Sequence, residues 1–182
     1  MKKNTRMLVE AGLMLALTFI LSNIKLFSLP QGGSITLGGQ VPLMIFALRW
    51  GVGPGLLIGG TFGMLKFFMD PFILTPVQFI LDYPLAYALL GLSGFGRSEK
   101  ALEGNVTIGL ILGVLLGGFG RLVSSTISGV VFFGEYLDPK LNPFIASMIV
   151  NGTVMVPNLI VTLVILLIIW KPVMRSTQIK TA

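Results

Sequence analysis

The 182-residue chain has no cysteine and no histidine, and only 11% of its residues are charged. Without cysteine there is no disulfide framework, thiol nucleophile or thiolate metal ligand. Without histidine the usual imidazole base and the commonest metal ligand are missing. Ordinary soluble domains carry about 25% charged residues. A fold of this size with so few charges cannot cover its surface for water, which argues against a soluble enzyme. The net charge of +6 is spread over thirteen Lys and Arg with no basic run, so nucleic acid is not an expected partner. No G-x-x-x-x-G-K-[ST] phosphate loop occurs, so the chain has no nucleotide motor of its own. Ser124, Ser125 and Ser128 have no evident base, and Asp70 and Asp82 lie in no metal-ligand pattern. Neither a catalytic set, a metal site nor a cofactor is expected.

What the chain does have is apolar length. Hydrophobic residues make up 54%, and the mean hydropathy is +0.91. A helix needs about 20 apolar residues to cross roughly 30 Å of hydrocarbon. Six segments are read as spans of one all-α membrane domain covering 1–182: 7–27, 41–48, 51–68, 76–94, 106–125 and 143–170. The second is short for a span and is read as a candidate incomplete helix, joined to the third by a tight turn at Arg49-Trp50-Gly51. The sixth is long enough to tilt or to project beyond the bilayer. With the N-terminus in the cytoplasm, nine Lys and Arg fall inside (Lys2, Lys3, Arg6, Arg49, Arg97, Lys100, Lys171, Arg175, Lys180). Four fall outside (Lys25, Lys66, Arg121, Lys140). This bias predicts cytoplasmic N- and C-termini.

Twenty-three glycines are present, many of them within the spans, where small residues let helix backbones approach closely. Gly12-x-x-x-Ala16 is a small-xxx-small pair in the first span, suited to packing inside the chain or to a partner helix. Polar residues inside a membrane are functional candidates. Asp82, Arg121 and Asn151 all thread to the outer half of the bilayer. One reading pairs Asp82 with Arg121 as a structural ion pair. The other makes them part of an outward-facing pocket with walls from Tyr83, Tyr87, Phe132, Phe133 and Tyr136. The turn-rich stretch 28–36, with Pro30, Gly32 and Gly33, is a connector or a lid.

The segments Leu29-Pro-Gln-Gly-Gly-Ser-Ile-Thr36, Leu48-Arg-Trp-Gly51, Pro76-Val-Gln-Phe-Ile-Leu-Asp-Tyr83, Gly120-Arg-Leu-Val-Ser-Ser-Thr-Ile-Ser-Gly-Val-Val-Phe-Phe-Gly134 and Asn151-Gly-Thr-Val-Met-Val-Pro157 occur in this order. Together they resemble the thiamine-specific substrate-binding subunits of energy-coupling-factor (ECF) transporters. The resemblance implies six helices in a bacterial cell membrane and an outward-facing vitamin site. It also implies a transmembrane coupling subunit and two cytoplasmic ATPases, so that ATP hydrolysis would lie on partners and this chain would not be an enzyme. Carried over by position, the substrate-binding residues are Asp82, Tyr83, Phe133 and Asn151. Ser125 stands where the family has His, and Gln31 and Ser34 lie on the outer loop. Small residues of the first helix, here Gly12 and Ala16, would meet the coupling subunit. Ala146 stands where the family has a ring-holding Tyr. These departures extend the expected ligands from thiamine to hydroxymethylpyrimidine and pyridoxine-like heteroaromatics. A stand-alone proton-coupled carrier, with Asp82 as the proton site, is the alternative.

Overall fold

The computed structural model describes residues 3–28, 33–69, 71, 74–133 and 140–177. Gln31, Asp70, Glu135, Tyr136 and Asp138 lie outside the described residues. The architecture is a helical bundle with one small hairpin. Its elements are α1 (Lys3–Asn23), β1 (Lys25–Ser28), β2 (Ser34–Thr36), α2 (Val41–Trp50), α3 (Val52–Met69), α4 (Pro76–Gly96), α5 (Glu99–Leu102), α6 (Ile108–Phe132) and α7 (Pro143–Thr177).

Five helices (α1, α3, α4, α6 and α7) are long and apolar enough to cross a membrane. Their outer faces carry Leu8, Leu57, Phe95 and Ile108, each more than two-thirds exposed. Such a surface is stable only against lipid. The bundle is therefore an integral membrane protein.

The sequence-derived second span proves to be only ten residues, α2. It rises about 15 Å, half the hydrocarbon thickness. It runs against α1 between two fixed points: Gly39 lies on the Ser22 backbone, and the Arg49 guanidinium meets Glu10 at 2.9 Å. Val41–Leu48 are all buried, so α2 faces protein rather than lipid and forms the centre of the core. At its end Gly51 takes φ +95° and donates its N–H to the Ala47 carbonyl, making the tight turn into α3.

Other boundaries move for local reasons. The first helix stops at Asn23 rather than running to Phe27. Ser22 and Asn23 side chains both donate to the Phe19 carbonyl, at 3.0 and 2.8 Å. The chain then turns into β1, which pairs antiparallel with β2 in the register Lys25–Thr36, Phe27–Ile35 and Ser28–Ser34. α6 begins at the Thr107 cap and runs two turns past Ser125, because its polar residues face the bundle. α7 is 35 residues, about 52 Å long, and passes well beyond Trp170. There the Trp170 indole donates to the Ala101 carbonyl at 2.9 Å, tying α7 to α5.

α4 is broken in the middle. It starts as an α-helix capped by Thr75, widens to a π turn at Leu81–Leu85, and ends as a 3-10 stretch at Leu90–Gly96. Pro84 has no N–H to donate and disturbs the regular ladder. Glycines on both neighbours let the widened helix fit. A side chain at Gly63 or Gly59 of α3 would strike the carbonyls of Tyr83 or Tyr87, and one at Gly113 or Gly117 of α6 those of Ser93 or Leu90.

Candidate ligand-binding site

Asp82 and Tyr83 lie within the π turn, a distortion that recurs at functional sites. Asp82 is half-buried. Its Oδ2 accepts a 2.6 Å hydrogen bond from Gln78 Nε2, one helical turn earlier. Two α6 groups act on the same carboxylate: the wholly buried Ser128 hydroxyl and the Arg121 guanidinium. Ser128 Oγ completes no hydrogen bond, and neither does Arg121 Nε.

The Asp82–Arg121 ion pair of the first reading is not formed. The ion pair seen within the bundle is Glu10–Arg49. Arg121 instead lies over the Tyr87 ring, its Cζ 4.2 Å from the centroid, where the ring face attracts the cation. Tyr87 is also in edge contact with Phe62 at 5.1 Å. The Tyr83 ring joins Phe67 and Phe79, with centroids 5.3 and 5.9 Å away. Of the expected aromatic walls, Tyr83 and Tyr87 thus turn toward α3. Phe132 and Phe133 stand half-buried at the end of α6.

α6 presents Arg121, Ser125 and Ser128 along one stripe, at i, i+4 and i+7. Ser124, beside this stripe, donates to the Leu81 carbonyl at 2.7 Å. That bond satisfies a backbone acceptor at the π turn, as membrane interiors require. On the other side Asn151 of α7 reaches α6. Its Nδ2 donates to the Ser125 carbonyl at 3.2 Å and to the Ser147 carbonyl at 3.0 Å. Ser147 in turn donates to the Thr126 carbonyl at 2.8 Å. Gly129 leaves the space for this clamp, since a side chain there would collide with Ser147. The Asn151 donor is thus used within the protein, while Oδ1 has no hydrogen-bond partner among the described residues.

The β1–β2 hairpin is pinned to α7 by Asn158, a residue to which the sequence reading gives no role. Its Nδ2 donates to the Ser34 carbonyl at 3.0 Å. Its Oδ1 accepts from the Thr36 N–H and hydroxyl at 3.0 and 3.1 Å. Gly33 sits against Val154. The signal was a lone amide two turns after Asn151 in an otherwise apolar run. Gln78 was also passed over, although its i, i+4 spacing to Asp82 places both on one helix face.

Gly12 and Ala16 lie elsewhere, on the exposed face of α1. A side chain at Gly12 would meet nothing within 4 Å, so internal packing does not use this position. A separate cleft of about 260 Å³ between α6 and α7 is apolar, lined by residues such as Leu115, Phe119, Met155 and Leu159, and is distinct from the polar group.

A lipid-embedded bundle of long apolar helices with polar side chains turned inward defines a multi-pass membrane protein. The family described as "Thiamine transporter protein (Thia_YuaJ)" matches residues 8–178. The Thiamine transporter ThiT of Bacillus subtilis is 34% identical over 173 residues, covering 90% of this chain and 89% of that protein. ThiT of Lacticaseibacillus paracasei is 31% identical over 137 residues, 70% of this chain and 68% of the relative. A solved structure of ThiT from Listeria monocytogenes superposes with a TM-score of 0.82 at 27% identity, covering 95% of this chain and 98% of the other. The chain belongs to the thiamine transporter protein family: it is a multi-pass bacterial membrane transport protein, not an enzyme.

Proposed function

We propose that this chain is the substrate-binding membrane subunit of an ECF-type importer and that its ligand is thiamine or a close heteroaromatic relative. The likeness to thiamine transporters along nearly the whole chain carries the reading. The site residues are Asp82, Tyr83, Ser125, Phe133 and Asn151, with Gln31 and Ser34 on the loop above. Asp82 accepts a hydrogen bond from a ligand amine or hydroxyl. The unspent Oδ1 of Asn151 offers a second acceptor, so the ligand presents donors to both. Tyr83 and Phe133 supply ring surface, and the Ser125 hydroxyl fills the place of a larger ring. The small size of Ser125 and Ala146 supports extending the ligand range to hydroxymethylpyrimidine and pyridoxine.

Docking of the coupling subunit on α1 is supported by the open, small-residue face at Gly12 and Ala16. Such faces admit close helix approach in lipid. The two ATPases then reach this chain through that subunit.

The test is calorimetric titration of the purified chain with thiamine, hydroxymethylpyrimidine and pyridoxine. Thiamine is expected to bind far more tightly than about millimolar; if none of the three does so, the vitamin reading falls. Ala16→Leu is expected to reduce co-purification with the coupling subunit while leaving thiamine affinity intact. Uptake by this chain alone in ATPase-free vesicles, driven by a pH gradient, would replace the ECF reading with the proton-coupled carrier.

A further inference from the structure

We infer that Gln78 is a positioning residue for ligand binding: its side-chain amide fixes the orientation of the Asp82 carboxylate and commits one of its two oxygens, so that the other is presented to the ligand. The role in binding rests on the proposed function; the orientation of the carboxylate does not.

Three observations carry the inference. Gln78 is 1% exposed, so its amide is shielded from both water and lipid. A buried amide must find partners within the protein. It finds them on both ends. Oε1 accepts from the Leu74 N–H at 3.1 Å, and Nε2 donates to Asp82 Oδ2 at 2.6 Å. The Leu74 donor decides which end is oxygen, and therefore leaves the nitrogen for the carboxylate. A flipped amide would set two acceptors against each other at Asp82 and two donors at Leu74.

The platform beneath Gln78 is also built. Its own N–H donates to Thr75 Oγ1 at 3.1 Å, the cap that starts α4. Leu74, Thr75, Gln78 and Asp82 therefore form one continuous unit over the first turns of the helix.

Arg121 does not take this role. It stays beyond ion-pair distance and lies on Tyr87. Ser128 faces the carboxylate without completing a hydrogen bond. Gln78 holds Asp82 through a short, direct hydrogen bond from its own helix. Hydrogen bonds to a charged group are stronger than neutral ones and shorter, in keeping with the 2.6 Å contact. An unheld carboxylate would sample several rotamers, and the ligand would have to select one on binding.

The experiment uses the full chain in nanodiscs and two readouts. The first is the infrared carboxylate band of Asp82 in ligand-free protein labelled with 13C-aspartate. The chain has three aspartates (Asp70, Asp82 and Asp138), so the band is assigned by its loss in Asp82→Asn. It is expected to move in Gln78→Met, which keeps the length of the side chain and removes the donor. An unmoved band overturns the inference. The second readout is a double-mutant cycle on thiamine affinity. Gln78→Met is expected to weaken binding about tenfold in the native background and to add almost nothing in the Asp82→Asn background. Losses that simply add would show a general structural role and overturn the inference. Gln78→Asn keeps the amide but withdraws it by one methylene, and serves both arms if the methionine variant does not fold. If the native chain fails to bind thiamine, the thiamine reading falls, and the infrared band still decides whether Gln78 holds the carboxylate.

Discussion

At Asp82 a carboxylate sits inside a membrane helix with no cation at contact distance. It is held by a neutral amide, and the nearest guanidinium rests on a tyrosine ring. A direct ion pair would occupy the carboxylate oxygens that the proposed ligand contact uses. Leaving the two charges apart keeps both available, at the cost of burying groups such as Ser128 Oγ and Arg121 Nε without partners. Unpaired buried donors are expensive, and binding sites are where proteins tolerate them. Asn151 divides its work in the same manner: its nitrogen clamps α6 to α7, and its oxygen remains open. Asp82→Asn preserves shape and removes the charge. A hydrogen bond to a charged group contributes about 1.5–3 kcal/mol, so this substitution is expected to weaken thiamine binding roughly tenfold to a hundredfold. Calorimetry on the purified variant reads the difference directly; an unchanged affinity would remove Asp82 from the site.

Among the elements, α4 decides where the proposed site lies. Pro84 and Asp82 lie in the π turn, and Ser124 donates to the Leu81 carbonyl. The distortion is possible only because α3 and α6 are glycine-lined where they meet it. Gly59→Ala tests this. Its methyl would press on the Tyr87 carbonyl, which is backbone and cannot swing aside. Overpacking of this kind costs about 1–3 kcal/mol. Gly152→Ala is the counterpart, on a helix face where a methyl meets nothing within 4 Å. It is expected to leave stability unchanged or raise it by up to about 1 kcal/mol, because alanine loses less freedom in a helix. Thermal unfolding in detergent, followed by circular dichroism, separates the two. Equal effects would mean that glycine acts at these positions through chain flexibility alone.

For the whole molecule, the outer surface is lipid-soluble and the inner seams are polar. α1 shows the division most clearly. Its buried residues are Glu10, Thr18 and Ser22, while Leu8, Leu13, Leu17 and Ile20 face outward. In water such a helix would be inside out; in lipid it is anchored by its polar stripe and free on its apolar face. The Glu10–Arg49 pair closes one end of that seam, and the Asn158 latch on the hairpin closes the region at the other. The Lys and Arg bias predicts the orientation across the bilayer, and the absence of native cysteine makes it simple to check. A single cysteine at Ser28 is expected to react with an impermeant maleimide from outside intact cells. Cysteines at Ser98 or Ser176 are expected to react only after permeabilisation. The reverse pattern would turn the site to the cytoplasm and end the importer reading.

Solvent, class and the rough course of the chain were legible in the sequence, because they depend on sums over local stretches. Too few charges for a wet surface and several long apolar runs require lipid, whatever the packing. The positions of Asp82 and Asn151 were legible for the same reason, since an ionisable or amide side chain in an apolar run stands out by itself. What each polar group does was settled only by the tertiary structure. Asp82 takes Gln78 instead of Arg121, Gly59 is packed while Gly12 is open, and Asn158 grips Thr36 across 122 residues of sequence. The short segment 41–48 is a half-length helix, and its burial comes from packing beside α1, with Gly39 on the Ser22 backbone. Such choices depend on how helices rotate and slide against one another. That geometry is set by contacts between distant segments, and no single stretch of residues carries it.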